Sequence, residues 1–382
     1  MADLLASESS QAYAIIDGTR KKQSTAWSNW KLFCEEIGLG SDLFLDSINQ
    51  PHHRTLILLA YAHAVHSLRF SKRKLDGHLQ CGSVQDAVSA VSTTFRLHGR
   101  PNPSLDEDGR PSFLLQRQWR AYRNVDSNVK HQKALTTPVL LKLYELAVSE
   151  LDFAVADLVI GAFFFGMRSC EYSTVKTKQT RTKRLCLRNI RFFKGRRQLF
   201  IDDDLSLADT VSITFEFQKK DLRNETVTMD ANDEHAILCP VKAWARVVRR
   251  VAAMPGTTTD TPVNTFFSES LKEITSELVL ARLRAIVDII GKDVLGYESA
   301  DIGTHSLRSG CAMALHLAGV QVYMIMLIGR WSSDAFLRYI RRQVREFSAG
   351  VSKRMVQPFA FFTIPDNFAH TLMPTSTLKS TF

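Results

Sequence analysis

The chain lacks any run of 18 or more apolar residues, so its sequence predicts no membrane-spanning helix. Its first residues also lack the basic start and apolar stretch of a secretory signal peptide, so we expect an intracellular protein. The six cysteines are scattered, with no Cys-x-x-Cys pair and no nearby histidine at a spacing that holds zinc. We therefore expect reduced thiols, no metal site and no cofactor.

Acidic residues are the minority among the charged ones. Lys and Arg number 49 against 39 Asp and Glu, which gives a formal net charge of +10. This excess favours an anionic partner, either nucleic acid or an acidic membrane surface, and charge alone does not choose between them. With 45% hydrophobic residues the chain can bury real cores, and its 382 residues are enough for two domains.

The first third of the sequence has a helical pattern. Apolar residues recur at helical spacing over residues 11–125, where strand-like alternation is absent. Pro51 opens one predicted helix, another runs from Gly82 to Leu97, and a last one lies near 113–122. The pattern predicts a bundle of about four helices. The polar residues 126–133 carry no periodicity and are the predicted interdomain linker.

A second region follows the linker and is also mainly helical. Thr136 and Pro138 mark a helix start, and residues 152–165 form an apolar helix that we expect to be buried on most sides. Helical patterns return after residue 239. They include residues 278–290, 309–317 and 322–328.

Strand patterns interrupt this second region. They occur at 199–201, 211–217 and 225–229, and the last two flank a polar turn, which predicts a hairpin. The predicted fold class is therefore mainly α with one small antiparallel β-sheet.

Arg168 stands directly after a nearly pure core segment and a glycine, and Glu171 follows three residues later. A charge beside a core needs a partner or a task. Arg168 either pairs with Glu171 and nothing more, or Glu171 orients a guanidinium fork that faces a phosphate. This segment alone leaves both readings open.

The strongest signal is a series of polar residues near the end of the sequence. His305 and Arg308 share one helix face, and an apolar stretch separates them from Gly-Arg-Trp at 329–331 and from Tyr339. The tetrapeptide His-Ser-Leu-Arg alone proves little, because it recurs at 66–69 without the later residues. We interpret that copy as an ordinary helix surface.

In this order the motifs resemble those of the tyrosine recombinases, also called the phage integrase family. Arg168 and Glu171 resemble its first box, Arg-x-x-Glu, and residues 305–339 resemble its second. The motif form is most similar to recombinases of eukaryotic mobile elements, the Crypton and DIRS-like groups. The resemblance covers roughly residues 134–345. The sequence departs from the bacterial and phage pattern at one point, because Tyr339 lies one position nearer to Trp331.

The resemblance implies the domain organisation and the chemistry. A helical core-binding domain would span residues 1–128, a catalytic domain 129–355 and a C-terminal tail 356–382. The catalytic domain would cleave and rejoin DNA through a 3′-phosphotyrosine intermediate, as a site-specific recombinase that integrates or excises a mobile element. This chemistry needs no metal.

Each predicted catalytic residue has a role in this scheme. Arg168 and Arg308 would hold the phosphate, and His305 would help to remove the proton of the nucleophile, because its titration range suits a base. The nucleophile would be Tyr339, with Tyr323, expected to be buried in the spacer helix, as the poorer candidate. Trp331 would donate its indole N–H to the phosphate or be a plain core residue, and the family's lysine corresponds to Lys219 or, less well, Lys220.

Residues 176–197 contain ten Lys and Arg and no acidic residue, a composition that favours phosphate binding over the alternative of a disordered basic loop. The predicted DNA contacts, in this segment and near the site, are Lys176, Lys178, Arg181, Lys183, Arg184, Lys220 and Arg330.

The resemblance further implies double-stranded DNA as partner and a homo-tetramer on paired DNA sites, with a monomer or dimer in the absence of DNA and no membrane partner. The tail would pack on a neighbouring subunit or, alternatively, on its own domain. The expected location is the nucleus if the chain is eukaryotic, otherwise the cytoplasm or nucleoid. Two other functions stay open: a catalytically silent DNA-binding protein derived from such an enzyme, and a type IB topoisomerase.

Overall fold

The structure is a computed structural model, and it describes residues 17–71, 77–127, 132–176, 182–218, 223–331 and 333. Several predicted site residues and the predicted tail lie outside these ranges. They are Lys178, Arg181, Lys219, Lys220, Tyr339 and residues 356–382.

The described residues of the N-terminal region form four helices, as the periodicity predicted. They are α1 (Asp17–Glu36), α2 (Pro51–His66), α3 (Cys81–Leu97) and α4 (Phe113–Val125). Their apolar faces meet in a separate core around Trp30, Tyr61 and Phe95. The rings of Trp30 and Tyr61 lie edge to face, with their centroids 5.2 Å apart. The boundary of this domain stays a prediction.

The copy of His-Ser-Leu-Arg at residues 66–69 is not an ordinary helix surface, so the interpretation made from the sequence was wrong. His66 is the last residue of α2 and is buried, and Leu68 has a positive φ of 61°, which turns the chain away from the helix. Arg69 lies at the surface, where its guanidinium is 3.1 Å from the carboxylate of Glu36. The motif therefore ends a helix here, whereas the copy at 305–308 starts one.

The part of the second region that the structure describes contains eight helices. They are α5 (Thr137–Glu145), α6 (Glu150–Phe164), α7 (Ser169–Tyr172), α8 (Pro240–Ala252), α9 (Ser276–Ile290), α10 (Lys292–Leu295), α11 (Ser306–Leu317) and α12 (Val322–Gly329). Ser149 caps α6 by accepting a hydrogen bond from the Asp152 amide at 3.1 Å, and the middle of this helix is fully buried, as predicted. Among the described residues, no helix is both long and apolar enough to cross a membrane.

A four-stranded antiparallel sheet lies in the same region, in the order β2-β1-β3-β4. Its strands are β1 (Ile190–Lys194), β2 (Arg197–Leu199), β3 (Thr210–Phe217) and β4 (Arg223–Asp230). The predicted hairpin is confirmed as β3 and β4, with Val211, Ile213 and Phe215 facing the core. The fold class is thus mainly α with a small antiparallel sheet.

Two details of the strand prediction were wrong. The strand predicted at 199–201 ends at Leu199, because Phe200 and Asp203 exchange hydrogen bonds in a turn that leaves Phe200 exposed. A second sheet, β5 (Thr265–Ser268) with β6 (Ser270–Glu273), is also present. Its strands are only four residues long and β6 is exposed throughout, so no alternating pattern marked them.

Candidate active site

The end of α6 builds one wall of the site. Gly166 has a φ of +50°, a conformation that favours glycine, and its amide donates to the Phe163 carbonyl at 3.0 Å. The Met167 amide donates to the Ala162 carbonyl at 3.1 Å, which completes a Schellman helix end. The chain then leaves the core, and Arg168 follows in an extended conformation.

The end of α12 repeats this arrangement without a glycine at the left-handed position. Arg330 has a φ of 54°, its amide donates to the Leu327 carbonyl at 3.1 Å, and the Trp331 amide donates to the Met326 carbonyl at 2.9 Å. A left-handed conformation costs a residue with a Cβ about 1–2 kcal/mol. The side-chain contacts of Arg330 must offset that cost.

Arg308, in the first turn of α11, connects these two helix ends. Its Nη1 donates to the Gly166 carbonyl and its Nη2 to the Gly329 carbonyl. Both acceptors lie at helix C-termini, where the aligned peptide dipoles concentrate negative partial charge. The Trp331 ring covers the guanidinium, with 4.3 Å between Cζ and the ring centroid.

One buried carboxylate organises the other two arginines. Glu171 is fully buried, and its Oε1 accepts from Arg168 Nη1 at 2.8 Å. Its Oε2 accepts from Arg330 Nη2 at 2.7 Å and from the Arg168 amide at 2.8 Å. The predicted pairing of Arg168 with Glu171 is therefore present, and it belongs to a larger cluster.

Gln218 is a member of this cluster that the sequence analysis missed. It is fully buried, and its Oε1 accepts from Arg168 Nη1 at 3.1 Å and from Arg330 Nε at 2.9 Å. Its Nε2 donates to Glu225 Oε2 at 3.1 Å across the hairpin. The only sequence signal was its place directly before Lys219.

Positive charge exceeds negative charge in this cluster, because Arg168 and Arg330 share the carboxylate of Glu171 and Arg308 adds a third guanidinium group that is bonded to uncharged carbonyls. Burial, together with the nearby charges of Arg168 and Arg330, lowers the pKa of Arg308 to about 9. Burial also lowers the pKa of Arg330, whereas the negative charge of Glu171 acts to raise it. A pKa of about 9 still leaves Arg308 charged at neutral pH, so the cluster is a ready site for an anion.

Part of the cluster reaches the surface. The side chain of Arg168 is 22% exposed, whereas that of Arg330 is 1% exposed. Trp331 is half-buried, and His305 is exposed at the start of α11, three residues before Arg308. An anion approaching from solvent therefore meets Arg168 and the start of α11 before the buried groups.

Arg330, predicted as a DNA contact, lies in the interior. Its three guanidinium nitrogens donate to Gln218, to the Phe165 carbonyl at 3.1 Å and to Glu171, and its Cζ lies 3.5 Å from the ring centroid of Phe215. These contacts use its donors inside the protein and place it beneath the anion site. At this position Arg330 is better placed to orient Arg168 and Glu171 than to contact DNA directly.

The described part of the basic segment is ordered, so the alternative of a disordered loop does not hold for residues 182–197. Several of its cations face acidic residues from elsewhere in the chain. The pairs are Lys176–Glu277, Lys183–Glu216, Arg184–Glu273, Arg188–Glu216, Arg188–Asp260 and Arg197–Asp203. Arg191, Lys194 and Arg196 are exposed and form no ion pair with a described residue.

Tyr323 is 59% exposed, so the expectation that it is buried in the spacer helix was wrong. It lies in the first turn of α12, whose buried residues are Ile325 and Gly329 on another face. The preferred nucleophile, Tyr339, and both candidate lysines lie outside the described residues.

Neither a family model nor a curated protein matches this chain. Among solved structures, a Tn1549 transposon integrase in complex with a circular intermediate DNA aligns with a TM-score of 0.46 and 12% identity, over 81% of this chain and 86% of that chain. XerH, a site-specific recombinase bound to a palindromic substrate, aligns with a TM-score of 0.44 and 13% identity, over 81% and 74%.

XerA recombinase aligns with a TM-score of 0.36 and 13% identity, over 88% of this chain and all of that chain. These neighbours are recombinases and integrases, the kind of protein that the sequence motifs resemble. The similarities describe a partly shared chain path and carry no information on activity.

Proposed function

We propose that this protein is a DNA strand transferase of the tyrosine recombinase kind, with double-stranded DNA as substrate. The observation that carries the proposal is the partly exposed arginine cluster, in which Arg168 and Arg330 share the buried carboxylate of Glu171 and Arg308 beside them is bonded to two backbone carbonyls. A phosphodiester would supply the missing negative charge. In the transition state the phosphodiester would supply more negative charge, because charge builds up on its nonbridging oxygens.

Arg168 and Arg308 are the two residues proposed to hold these oxygens. Guanidinium groups bind two oxygens at once, which an ammonium group cannot do. The carbonyl contacts of Arg308 use one N–H each of Nη1 and Nη2, so its remaining donors are available to a ligand. Glu171 and Gln218 hold Arg168 in place without contacting the phosphate.

Tyr339 is the proposed nucleophile. Its phenol oxygen attacks phosphorus, the bond from phosphorus to the 5′ oxygen breaks, and a 3′-phosphotyrosine forms. His305 assists removal of the phenol proton, and Lys219 or Lys220 gives a proton to the leaving 5′ oxygen. The new ester keeps the bond energy, so a 5′-hydroxyl from the same or another strand restores the DNA by the reverse reaction.

The biological role follows from this chemistry as a further part of the proposal. Exchange of strands between two DNA sites integrates or excises a segment, and the motif form at 329–340 favours a mobile element of a eukaryotic host. We accordingly place the protein in the nucleus. Chemistry of this kind needs no metal ion at the phosphate, because fixed cations supply the charge.

The test is covalent capture of DNA by the purified full-length protein. Nicked double-stranded fragments of random sequence are incubated with the protein, the reaction is stopped with denaturant, and protein-bound DNA is quantified and sequenced. We expect Tyr339→Phe to abolish the covalent product and to leave DNA binding intact, because only one hydroxyl is removed. Tyr323→Phe, an exposed tyrosine on α12, is the matched control and should react normally.

Each contrary result has a distinct meaning. Covalent product from Tyr339→Phe would refute the assignment of the nucleophile. DNA binding with no covalent product from the unaltered protein would indicate a silent DNA-binding protein, and relaxation of supercoiled plasmid by a monomer would indicate a topoisomerase. Activity that disappears in excess chelator and returns with Mg²⁺ would indicate a metal-dependent nuclease.

A further inference from the structure

Three side chains of the metal-ligating type converge in the N-terminal bundle, far along the chain from the arginine cluster. His66 ends α2, His78 lies just before α3, and Asp126 directly follows α4. One ligand atom from each lies within 4.8 Å of the other two. No zinc motif in the sequence marks these three residues, because they are separated by many positions along the chain.

His66 has a nitrogen that its surroundings leave unsatisfied. The residue is 9% exposed, and its Nε2 has no hydrogen-bond partner among the described residues. Its ring is stacked on Tyr122, with centroids 3.7 Å apart and planes at 7°, and on His78, with centroids 4.7 Å apart. A buried ring nitrogen without a partner carries a desolvation cost, which a bound cation would remove.

The other two groups are held close to His66. Both carboxylate oxygens of Asp126 accept from the Cys81 amide, at 3.0 and 3.2 Å, and Asp126 Oδ1 lies 4.0 Å from His78 Nε2. The Leu79 amide donates to the His66 carbonyl at 2.9 Å, which fixes the segment that carries His78. The Cys81 thiol donates to the Trp119 carbonyl, so it is not directed at this cluster.

We propose that His66, His78 and Asp126 bind one divalent transition-metal ion of the zinc type, with water as the fourth ligand. Two imidazoles and a carboxylate form a known zinc ligand set, and three protein ligands with an open position are typical of zinc. Bonds of about 2.0–2.1 Å in a tetrahedron place ligand atoms about 3.3 Å apart. The distance from Asp126 Oδ1 to His78 Nε2 is larger, at 4.0 Å, and His78, whose side chain is 34% exposed on a loop, can close the difference.

The ion would connect three separate parts of the bundle. It would join the end of α2, the segment before α3 and the end of α4, directly before the predicted linker at 126–133. Metal ligands that are distant in sequence stabilise the folded state, because the unfolded chain does not present them together. This site is independent of the proposed strand transfer and of its phosphate chemistry.

The test measures zinc binding by the full-length protein after it has been stripped with chelator and dialysed. We expect one zinc per chain and a rise in Tm on addition of ZnCl₂. His78→Ala and Asp126→Asn should weaken zinc binding by about tenfold or more, since loss of even an outer partner of a metal ligand costs that much. His53→Ala, an exposed histidine of the same bundle, should bind zinc normally.

Cobalt provides a readout that separates ligation from folding. The protein with Co²⁺ should show visible absorption bands of tetrahedral cobalt, and His78→Ala should lose them while its circular dichroism stays unchanged. His78→Cys should regain the bands and add a thiolate-to-cobalt charge-transfer band. Absence of bound metal in the unaltered protein, or equal zinc binding by His78→Ala and His53→Ala, would overturn the proposal.

Discussion

At the scale of single residues, the site depends on which hydrogen-bond acceptors the buried guanidinium groups contact. Arg308 uses two carbonyls at helix ends, and Arg330 uses one carbonyl, Gln218 and Glu171. Burial of a charge is tolerated only when its donors are satisfied. Carbonyl acceptors satisfy the donors without neutralising the charge, which keeps the cluster positive for an anion.

Glu171→Gln should destabilise the protein by about 3 kcal/mol, because it removes the buried negative charge that Arg168 and Arg330 share. Urea unfolding at pH 7 measures the change. Glu145→Gln is the matched control: its exposed pair with Lys142 should contribute less than about 1 kcal/mol. Equal losses in the two variants would show that the cluster does not need the charge of Glu171.

Arg168→Ala should slow formation of the covalent DNA product by about 10²–10³-fold, the usual cost of losing one fixed donor to the transition state. Single-turnover rates on a captured DNA site measure it. Arg282→Ala, which removes an exposed arginine paired with Asp152, should leave the rate unchanged. A loss of less than tenfold in Arg168→Ala would remove this residue from the catalytic site.

At the scale of secondary-structure elements, helix ends and one strand end build the site. The C-terminal ends of α6 and α12 present carbonyls to Arg308, and the end of β3 presents Gln218. The glycines at both helix ends also allow close packing. A Cβ on Gly166 would lie 3.3 Å from Cys311 Sγ, and one on Gly329 would overlap the ring of Trp331.

Gly166→Ala tests the importance of the α6 end. At a φ of +50° an alanine costs about 1–2 kcal/mol, and the contact with Cys311 moves the carbonyl that Arg308 uses. Gly195→Ala is the matched control, because its φ is +55° and its Cβ would meet no atom of the described residues within 4 Å. Gly166→Ala should lose at least as much stability as Gly195→Ala by urea unfolding, and only Gly166→Ala should lose covalent DNA product. Full activity in Gly166→Ala would contradict this role.

Strand β3 also holds the basic segment through Glu216. Hydrogen bonds from Arg188 and Asn189 lower the pKa of Glu216 from 4.5 to about 2. The folded protein thus favours the charged carboxylate, so Glu216 stabilises it fully above pH 4.5 and loses this effect as the pH falls towards 2.

The difference in unfolding free energy between the unaltered protein and Glu216→Gln should therefore shrink as the pH falls below 4.5. Urea unfolding from pH 7 to pH 3 measures it. In an Arg188→Gln background one donor to Glu216 is gone while Asn189 and Lys183 remain, so the same difference should be smaller and should change less with pH. A difference that stays constant with pH in the unaltered background would contradict the assignment.

At the scale of the whole molecule, the two large buried clusters and the net charge of +10 are compatible with a protein that holds DNA. The proposed assembly is a tetramer on two DNA sites, in which the tail of one subunit packs on the next. The proposal rests on the composition of the tail, whose sequence combines several phenylalanines with three prolines between 358 and 374.

Deletion of residues 356–382 should leave binding to a single DNA site intact and abolish the complex on paired sites. Light scattering with DNA distinguishes the two species. A truncated protein that still forms tetramers on paired sites would refute packing between subunits. One that fails to fold would show that the tail packs on its own domain.

The sequence was enough to predict the longer helices, the β3–β4 hairpin and the motif at 305–331, because each depends on residues close together in the chain, but it did not mark the short helices α7 and α10 or strand β1. Tertiary structure alone decided which side chains meet. Arg330 and Glu171 are 159 positions apart, and Arg168 and Gln218 are 50 apart. The periodicity of apolar residues is set by the backbone over a few turns. Contacts between side chains that are distant in the sequence depend instead on how whole helices and strands pack. For the same reason His66, His78 and Asp126 were not recognised as neighbours.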